Sequence, residues 1–99
     1  MTVRIIAIKT LKEFWKKHPD SEQPLRAWYS EAINADWKRP NDITKYYRTA
    51  SILSSNRVVF NIKGNDYRLI TTINYDYKVV YIRFIRTHKE YDRINAEDI

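Results

Sequence analysis

The chain has 99 residues, which suits one domain with a thin core and leaves little room for a large buried cofactor pocket. It contains no cysteine, so disulfides, thiolate zinc sites and a cysteine nucleophile are excluded. There are 18 Lys and Arg residues against 12 Asp and Glu residues, and the resulting net charge of +6 favours an anionic partner, with nucleic acid as the first candidate.

The first half of the chain predicts one strand followed by helices. Residues Val3–Ile8 are mostly apolar and β-branched, which predicts a buried strand. Thr10 followed by Glu13 forms a capping-box pattern, which predicts the start of a first helix that ends near His18. A second helix is predicted from Ser21, with apolar residues three and four apart up to residue 33. A short third helix is predicted over residues 42–47, capped by Asn41.

From Arg57 onward the apolar period changes to two, which indicates strands. Three strands are predicted over residues 57–63, 66–75 and 78–86. Two-residue turns at Gly64-Asn65 and Asp76-Tyr77 join them into an antiparallel meander. The expected fold class is therefore α+β, a single domain over residues 1–99. Its first strand joins the meander in a small antiparallel sheet, and two to three helices pack on that sheet.

Turn positions allow the two faces of this sheet to be assigned. They place Asn61 opposite Arg68, and Ile70 opposite Arg83. One face is then apolar and is assigned to the core under the helices; it comprises Val58, Phe60, Ile62, Tyr67, Leu69, Thr71, Val80, Ile82 and Phe84. The other face is mostly polar and comprises Arg57, Asn61, Lys63, Arg68, Thr72, Tyr81, Arg83 and Ile85.

Positive charge is concentrated in the same part of the chain. Residues 44–89 hold nine basic side chains and two acidic ones, for a net charge of +7. Like charges on one face repel each other unless an anion lies between them, so a path for phosphates is predicted there. The alternative is a solvated face that is merely rich in arginine, since antiparallel sheets often expose one side to water.

A segment directly after the last strand brings together groups that could transfer protons. His88, Lys89 and Tyr91 lie within four residues at the end of the basic face. Cleavage of RNA by its own 2′-hydroxyl needs a base, an acid and cations on the phosphate, and these side chains can supply all three. The two histidines are far apart and the carboxylates scattered, so neither a metal site nor any other cofactor is predicted.

Two motifs resemble a known protein family. The segment Thr87-His88-Lys89-Glu90-Tyr91-Asp92 is similar to the THKEYD signature of the HigB toxins, and Asp66-Tyr67-Arg68-Leu69 resembles the DYRL run of the wider RelE-like superfamily. The resemblance covers nearly the whole chain. It implies a RelE-like fold and a toxin of a type II toxin–antitoxin system that cleaves mRNA, usually in the ribosomal A site. It also implies neutralisation by a helix-turn-helix antitoxin of the HigA type, which would carry the complex to operator DNA. The absence of cysteine suits a reducing cytosol, and no apolar run is long enough to span a membrane, so a cytoplasmic protein with no membrane partner is expected.

The resemblance and the face assignment together give the expected site. The strand arginine that contacts the scissile phosphate in RelE-like enzymes corresponds to Arg68. The expected catalytic residues are Arg68, His88, Lys89, Tyr91 and Lys63. The expected RNA-binding residues are Arg57, Asn61, Arg83, Arg86 and Tyr81. RelE itself has no histidine at the position of His88, so the choice of acid and base stays open.

Two other functions fit parts of the pattern. A binding module for RNA or DNA without chemistry would use the same basic face, because phosphate contacts need neither acid nor base. A purely structural partner protein is the weakest alternative, since it leaves the segregated charge unexplained. Mapping mRNA ends after incubation with translating ribosomes distinguishes the nuclease from the binding module.

Overall fold

A computed structural model describes residues 3–94 and has the expected α+β architecture. Along the chain the elements are β1 (Arg4–Ile6), α1 (Ile8–Lys17), a short 3-10 helix (Pro19–Ser21), α2 (Glu22–Ile33), α3 (Pro40–Tyr46), β2 (Ser51–Ile52), β3 (Arg57–Ile62), β4 (Tyr67–Asn74), β5 (Val79–Thr87) and α4 (His88–Tyr91). The arrangement is compatible with the RelE-like fold. Within residues 3–94, no helix has both the length and the apolar character needed to cross a bilayer.

The sheet has five strands in the order β1-β5-β4-β3-β2. The predicted meander of β3, β4 and β5 is confirmed, and its pairs are antiparallel. β1 pairs with β5 in parallel, so the sheet is mixed, and the prediction that the first strand belongs to an antiparallel sheet is wrong. β2 is an additional edge strand that the sequence did not predict, paired to β3 through a turn in which Ser55 and Asn56 both have positive φ.

The junction between β1 and α1 differs from the prediction. Ala7 adopts a left-handed conformation with φ of 73° and ends the strand, so α1 begins at Ile8. Ile8 is therefore helical, and Thr10 lies inside the first turn, where its backbone N–H donates to the Ala7 carbonyl over 3.0 Å. The predicted strand to Ile8 and the predicted cap at Thr10 are wrong. α3 likewise begins earlier than predicted, with Pro40 at its first position, which suits a residue that lacks an N–H.

The register of the first hairpin is confirmed, with Asn61 opposite Arg68. Its turn differs in detail, because the positive φ angles fall on Lys63 (53°) and Gly64 (63°) rather than on Gly64 and Asn65. Lys63 therefore leaves the strand alternation and no longer shares a face with Arg68. This corrects the predicted placement of Lys63 on the polar face.

A β-bulge changes the faces of β5. Thr72 lies opposite Tyr81 as predicted, but Ile70 lies opposite Phe84 instead of Arg83, because the register shifts between Ile70 and Thr71. The extra residue reverses the alternation for the rest of the strand. Ile85 consequently enters the main core and Phe84 turns to the other face, so both assignments made from the sequence are wrong.

The main core lies between the helices and one face of the sheet. Leu11, Leu25 and Trp28 from α1 and α2 are fully buried against it. Phe60 packs edge-on to Trp28 at 5.4 Å between ring centroids and is stacked with Trp37 at 5.9 Å. Apart from Phe84, the residues predicted to face the helices are buried there. The helices thus cover one face and leave the other to shorter segments.

The second face is divided into three rows by strand register. Arg57, Thr72 and Tyr81 form one polar row, which we call the distal row. Val59, Ile70 and Phe84 form a buried apolar row, covered by Leu53, Tyr91 and Ile94. Asn61, Arg68 and Arg86 form a second polar row next to α4, which we call the proximal row. The continuous basic face expected from the sequence is therefore interrupted by an apolar strip.

Candidate active site

Arg68 and His88 are in direct contact at the end of the proximal row. The Arg68 Nη2 atom lies 2.7 Å from His88 Nδ1. The same guanidinium is held by Asn65, with Nη2 donating to the side-chain Oδ1 over 2.7 Å and Nη1 donating to the backbone carbonyl over 3.0 Å. The turn between β3 and β4 thus orients Arg68 toward the first residue of α4, and the two side chains that the sequence singled out most strongly meet.

The partners of the His88 ring define its protonation pattern. A guanidinium has donors and no acceptor, so His88 Nδ1 must accept the hydrogen bond from Arg68. In a neutral imidazole the proton then lies on Nε2. Nε2 is 3.1 Å from Asp92 Oδ2. An ionised carboxylate has acceptors and no donor, so it pairs with the proton on Nε2. With a neutral ring, Arg68 donates to Nδ1 and the Nε2–H donates to Asp92, so each donor in this series of hydrogen bonds has an acceptor.

A capping box holds α4 at the end of β5. The Thr87 hydroxyl accepts from the Glu90 N–H over 3.2 Å, and the Glu90 carboxylate accepts from the Thr87 N–H over 3.0 Å. The Thr87 N–H is the main cause that lowers the pKa of the Glu90 carboxyl, and the Thr87 hydroxyl, which donates to Glu90 Oε1 over 3.1 Å, is the next. The His88 N–H also donates to the Asp66 carbonyl over 2.9 Å, which ties α4 to the turn before β4.

An open pocket of about 560 Å³ lies beside the His88 ring. It is lined by Asn65, Asp66, Tyr67, Thr87, His88 and Lys89. Lys89 is exposed at this pocket, so its ammonium group can reach an anion bound there. A smaller pocket of about 400 Å³, lined in part by Trp37, Tyr46 and Tyr47 between the end of α2 and α3, contains none of the predicted site residues.

Tyr91 lies between the apolar row and the Arg68 guanidinium. Its ring packs against the apolar row, and the Arg68 guanidinium lies 5.8 Å from the ring centroid. A cation at this distance over an aromatic face is attracted by the ring quadrupole. Tyr91 therefore contributes to the placement of Arg68 as well as to the cover of the apolar row.

Lys63 is engaged away from Arg68. Its ammonium group contacts Asp20 at 2.7 Å and Asp66 at 3.4 Å. Asp20 also accepts a hydrogen bond from the Tyr67 hydroxyl over 2.6 Å. The bonds from Lys63 and then from Tyr67 lower the pKa of Asp20, and the bond to Asp20 raises the pKa of Lys63. Lys63 therefore has an acidic partner from a distant part of the chain in addition to Asp66.

The predicted RNA-binding residues fall into separate places. Asn61 and Arg86 flank Arg68 in the proximal row, and Arg86 is its direct cross-strand neighbour. Arg57 and Tyr81 lie in the distal row, across the apolar strip. Arg83 is exposed at the bulge. The structure therefore gathers two of the five beside Arg68 and His88.

Sequence reasoning missed three residues of the site. Asp92 follows His88 by four positions, a spacing that could have revealed the pair once His88 was placed in a helix. Asn65 precedes Arg68 by three positions, but its contact depends on the conformation of the turn. Asp20 is 43 residues from Lys63, and no local pattern links them.

The described residues offer no evident metal-binding cluster. Between residues 3 and 94, no group of three or more His, Cys, Asp or Glu side chains is arranged to hold a metal ion. The pocket beside His88 is lined by one carboxylate, that of Asp66, together with amide, hydroxyl, imidazole and ammonium groups. A metal-independent reaction stays a prediction from the sequence.

The fold and site together define a small basic α+β protein with an arginine–imidazole pair, whose imidazole residue lines an open pocket. Residues 21–94 match the HigB_toxin family, described as the RelE-like toxic component of a toxin-antitoxin system. The chain belongs to this family, and membership in a toxin-antitoxin system implies an antitoxin partner.

Named relatives extend the similarity beyond residues 21–94. The mRNA interferase toxin HigB of Escherichia coli strain K12 is 27% identical over 96 residues, which cover 95% of this chain and 92% of the relative. The mRNA interferase HigB of Shigella flexneri matches with the same identity and coverage. The mRNA interferase HigB of Escherichia coli O6:H1 is 26% identical over 94 residues, or 93% of this chain and 91% of the relative.

Proposed function

We propose that this chain is the toxin of a type II toxin–antitoxin system and an endoribonuclease that cleaves mRNA on the ribosome. The names of the relatives support the substrate, since three of them are called mRNA interferases. The observation that carries the proposal is the 2.7 Å contact between Arg68 Nη2 and His88 Nδ1, because a guanidinium can bind a phosphate and an adjacent imidazole can act as a base. The reaction is metal-independent attack by the 2′-hydroxyl.

The first step uses Arg68 and His88 together. A scissile phosphate in the pocket draws the Arg68 guanidinium into a charge-assisted contact and frees Nδ1 of the imidazole. Nδ1 then takes the proton of the 2′-hydroxyl, and the 2′-oxygen attacks phosphorus. A phosphorus–oxygen bond to the 2′-oxygen forms and the bond to the 5′-oxygen breaks, which leaves a 2′,3′-cyclic phosphate and a 5′-hydroxyl. Arg68 holds the charge that develops on the phosphate.

Lys89 is the residue best placed to protonate the leaving 5′-oxygen. It lines the pocket beside His88 and is exposed to a ligand there. Tyr91 instead lies beneath Arg68 and positions that guanidinium. Lys63, bound to Asp20 and Asp66, offsets part of the negative charge of these two carboxylates near the pocket. Arg86 holds an adjoining backbone phosphate.

The proposed setting follows from the same assignment. The toxin acts in the cytoplasm and binds mRNA in the ribosomal A site. A helix-turn-helix antitoxin of the HigA type neutralises it and carries the complex to operator DNA. A neighbouring reading frame that encodes a short helix-turn-helix protein would support this setting.

Single variants at the two central residues test the proposed function. We expect Arg68→Ala and His88→Ala each to lower mRNA cleavage by roughly 10²- to 10⁴-fold, because each removes a group that acts in the transition state. Purified protein is incubated with translating ribosomes and the 5′ ends of the mRNA are mapped, with free mRNA in a parallel reaction. Arg39→Ala, at the exposed start of α3, is the matched control for the loss of a positive charge.

The same experiment separates the nuclease from a binding module without chemistry. New mRNA ends that require Arg68 and His88 support the nuclease. Wild-type protein that binds ribosomes or RNA without producing new ends identifies the binding module. Full toxicity of a folded Arg68→Ala/His88→Ala double variant overturns the nuclease proposal.

A further inference from the structure

We propose that Asp92 is a positioning residue for the cleavage reaction, holding His88 through its Nε2–H and stabilising the imidazolium that forms when Nδ1 accepts the 2′-hydroxyl proton. The inference rests on the proposed function, which names His88 as the base. Asp92 does not reach the reacting atoms in this role and acts through the ring.

Geometry places the Asp92 carboxylate behind the ring, on the side away from Arg68. His88 Nδ1 contacts Arg68 at 2.7 Å, and Nε2 contacts Asp92 Oδ2 at 3.1 Å. The two contacts use the two ring nitrogens, so the ring is held between a cation and an anion. Rotation of the ring would break both contacts, and Nδ1 is therefore held toward Arg68 in one orientation.

Charge gives the carboxylate its second role. Arg68 opposes a positive charge on the ring while it contacts Nδ1. During the reaction Arg68 turns to the phosphate and Nδ1 takes a proton, so the ring becomes an imidazolium. Asp92 is then an opposite charge within hydrogen-bond distance, which favours the charged form of the ring.

Other titratable groups around the ring do not take the place of Asp92. Asp66 contacts His88 through its backbone carbonyl, and its carboxylate pairs with Lys63. The Glu90 carboxylate accepts from Thr87. Lys89 lines the pocket as a further cation and opposes charge on the ring. Among the described neighbours, Asp92 is the carboxylate placed at hydrogen-bond distance from a ring nitrogen of His88.

A simple surface ion pair is the alternative to this role. His88 and Asp92 are 43% and 58% exposed, and a pair four residues apart on a short helix can form without any consequence for reactivity. The two interpretations differ in what removal of the charge does to the ring and to turnover. They do not differ in fold, since both side chains lie at the surface.

The test begins with NMR relaxation of the His88 ring in the free protein, which does not depend on RNA cleavage. We expect Asp92→Asn to increase the motion of the ring, because the charge-assisted contact at Nε2 is lost. Asp92→Glu should restore most of the order. Asp76→Asn, in the turn at the opposite end of β4, removes the same charge far from the ring and should leave the ring motion unchanged.

Cleavage kinetics on ribosome-bound mRNA complete the test. We expect Asp92→Asn to lower kcat about three- to tenfold with KM unchanged, because Asp92 affects proton transfer and not phosphate binding. Unchanged ring motion and an unchanged kcat in Asp92→Asn, with active wild-type protein, overturn the positioning role alone. Increased ring motion in Asp92→Asn together with wild-type protein that cleaves no mRNA overturns the proposed function and the positioning role with it.

Discussion

Asp20 shows how one side chain can join segments that are distant in sequence. It accepts hydrogen bonds from Lys63 and Tyr67, so it fastens the 3-10 helix between α1 and α2 to the β3–β4 hairpin. Both bonds favour the carboxylate, and the pKa of Asp20 lies below its ordinary value of 3.8 for that reason. The residue therefore links stability to pH at the edge of the site.

We expect Asp20→Asn to destabilise the protein at neutral pH and to weaken the dependence of its stability on acid. A carboxyl with a lowered pKa in the folded state binds protons more readily when unfolded. Its stabilising effect is complete well above the unfolded value of 3.8 and disappears as the pH falls through the lower folded value. Urea unfolding of wild type and variant at neutral pH and at pH steps below 4 measures the difference, which should shrink with acid.

Lys63→Met provides the partner variant for this prediction. The loss of unfolding free energy in the Asp20→Asn/Lys63→Met double variant should be smaller than the sum of the losses in the two single variants, since both changes break the same contact. A stability difference between wild type and Asp20→Asn that stays constant from neutral pH to acid would contradict the role given to the carboxylate.

At the scale of elements, α4 is a single turn of helix that carries much of the candidate site. His88, Lys89 and Tyr91 lie on it, and a turn this short is not stable without tertiary support. Its capping box with Thr87 and the bond from the His88 N–H to the Asp66 carbonyl supply that support. The position of the imidazole therefore depends on the cap.

We expect Thr87→Ala to loosen α4 while the rest of the fold persists. Loss of an N-cap hydroxyl costs about 1 kcal/mol, which is enough to increase opening of one turn but not to unfold the domain. Amide hydrogen exchange should become faster for residues of α4, with strand β4 unchanged, and mRNA cleavage should fall. Thr87→Ser keeps the hydroxyl and should behave like wild type, whereas unchanged exchange in Thr87→Ala would show that the cap does not hold the helix.

The sequence predicts these elements unevenly, for physical reasons. The register between β3 and β4 follows from alternation on both sides of a turn that contains Gly64. The bulge in β5 has no Gly or Pro to mark it. Its one sequence signal is that two apolar residues, Phe84 and Ile85, follow each other and so break the polar–apolar alternation that precedes them. The contact between Asp20 and Lys63 depends on how the helices pack and has no local signal. Local pairing is thus predictable where tertiary contacts are not.

At the scale of the molecule, the division of the second sheet face changes how RNA is expected to bind. Arg57 in the distal row and Asn61 in the proximal row are four residues apart on β3, which is about 13 Å along an extended strand. The apolar row between them is covered by Leu53, Tyr91 and Ile94. A single RNA strand that reaches both rows must therefore pass over or around α4, and the scissile phosphate belongs to the proximal row.

This geometry predicts separable effects of the two rows on RNA affinity. In a His88→Ala background, which removes cleavage, we expect Arg86→Ala and Arg57→Ala each to weaken binding of single-stranded RNA. Each should also reduce the slope of log affinity against log salt by about 0.7, the value for one phosphate contact on a single strand. Their effects should add, since sites well separated with no shared contacts act independently.

Fluorescence anisotropy over a range of salt concentrations measures these slopes, with Arg39→Ala as the control for total charge.

Kinetics in protein that keeps His88 give a second measurement. Arg86→Ala should raise KM, because Arg86 lies beside Arg68 and binds substrate. Arg68→Ala should also lower kcat, because Arg68 contacts the phosphate that reacts. A salt slope that Arg86→Ala leaves unchanged would remove the proximal row from the RNA path. A change for Arg86→Ala without one for Arg57→Ala would confine RNA to the proximal side of the apolar strip.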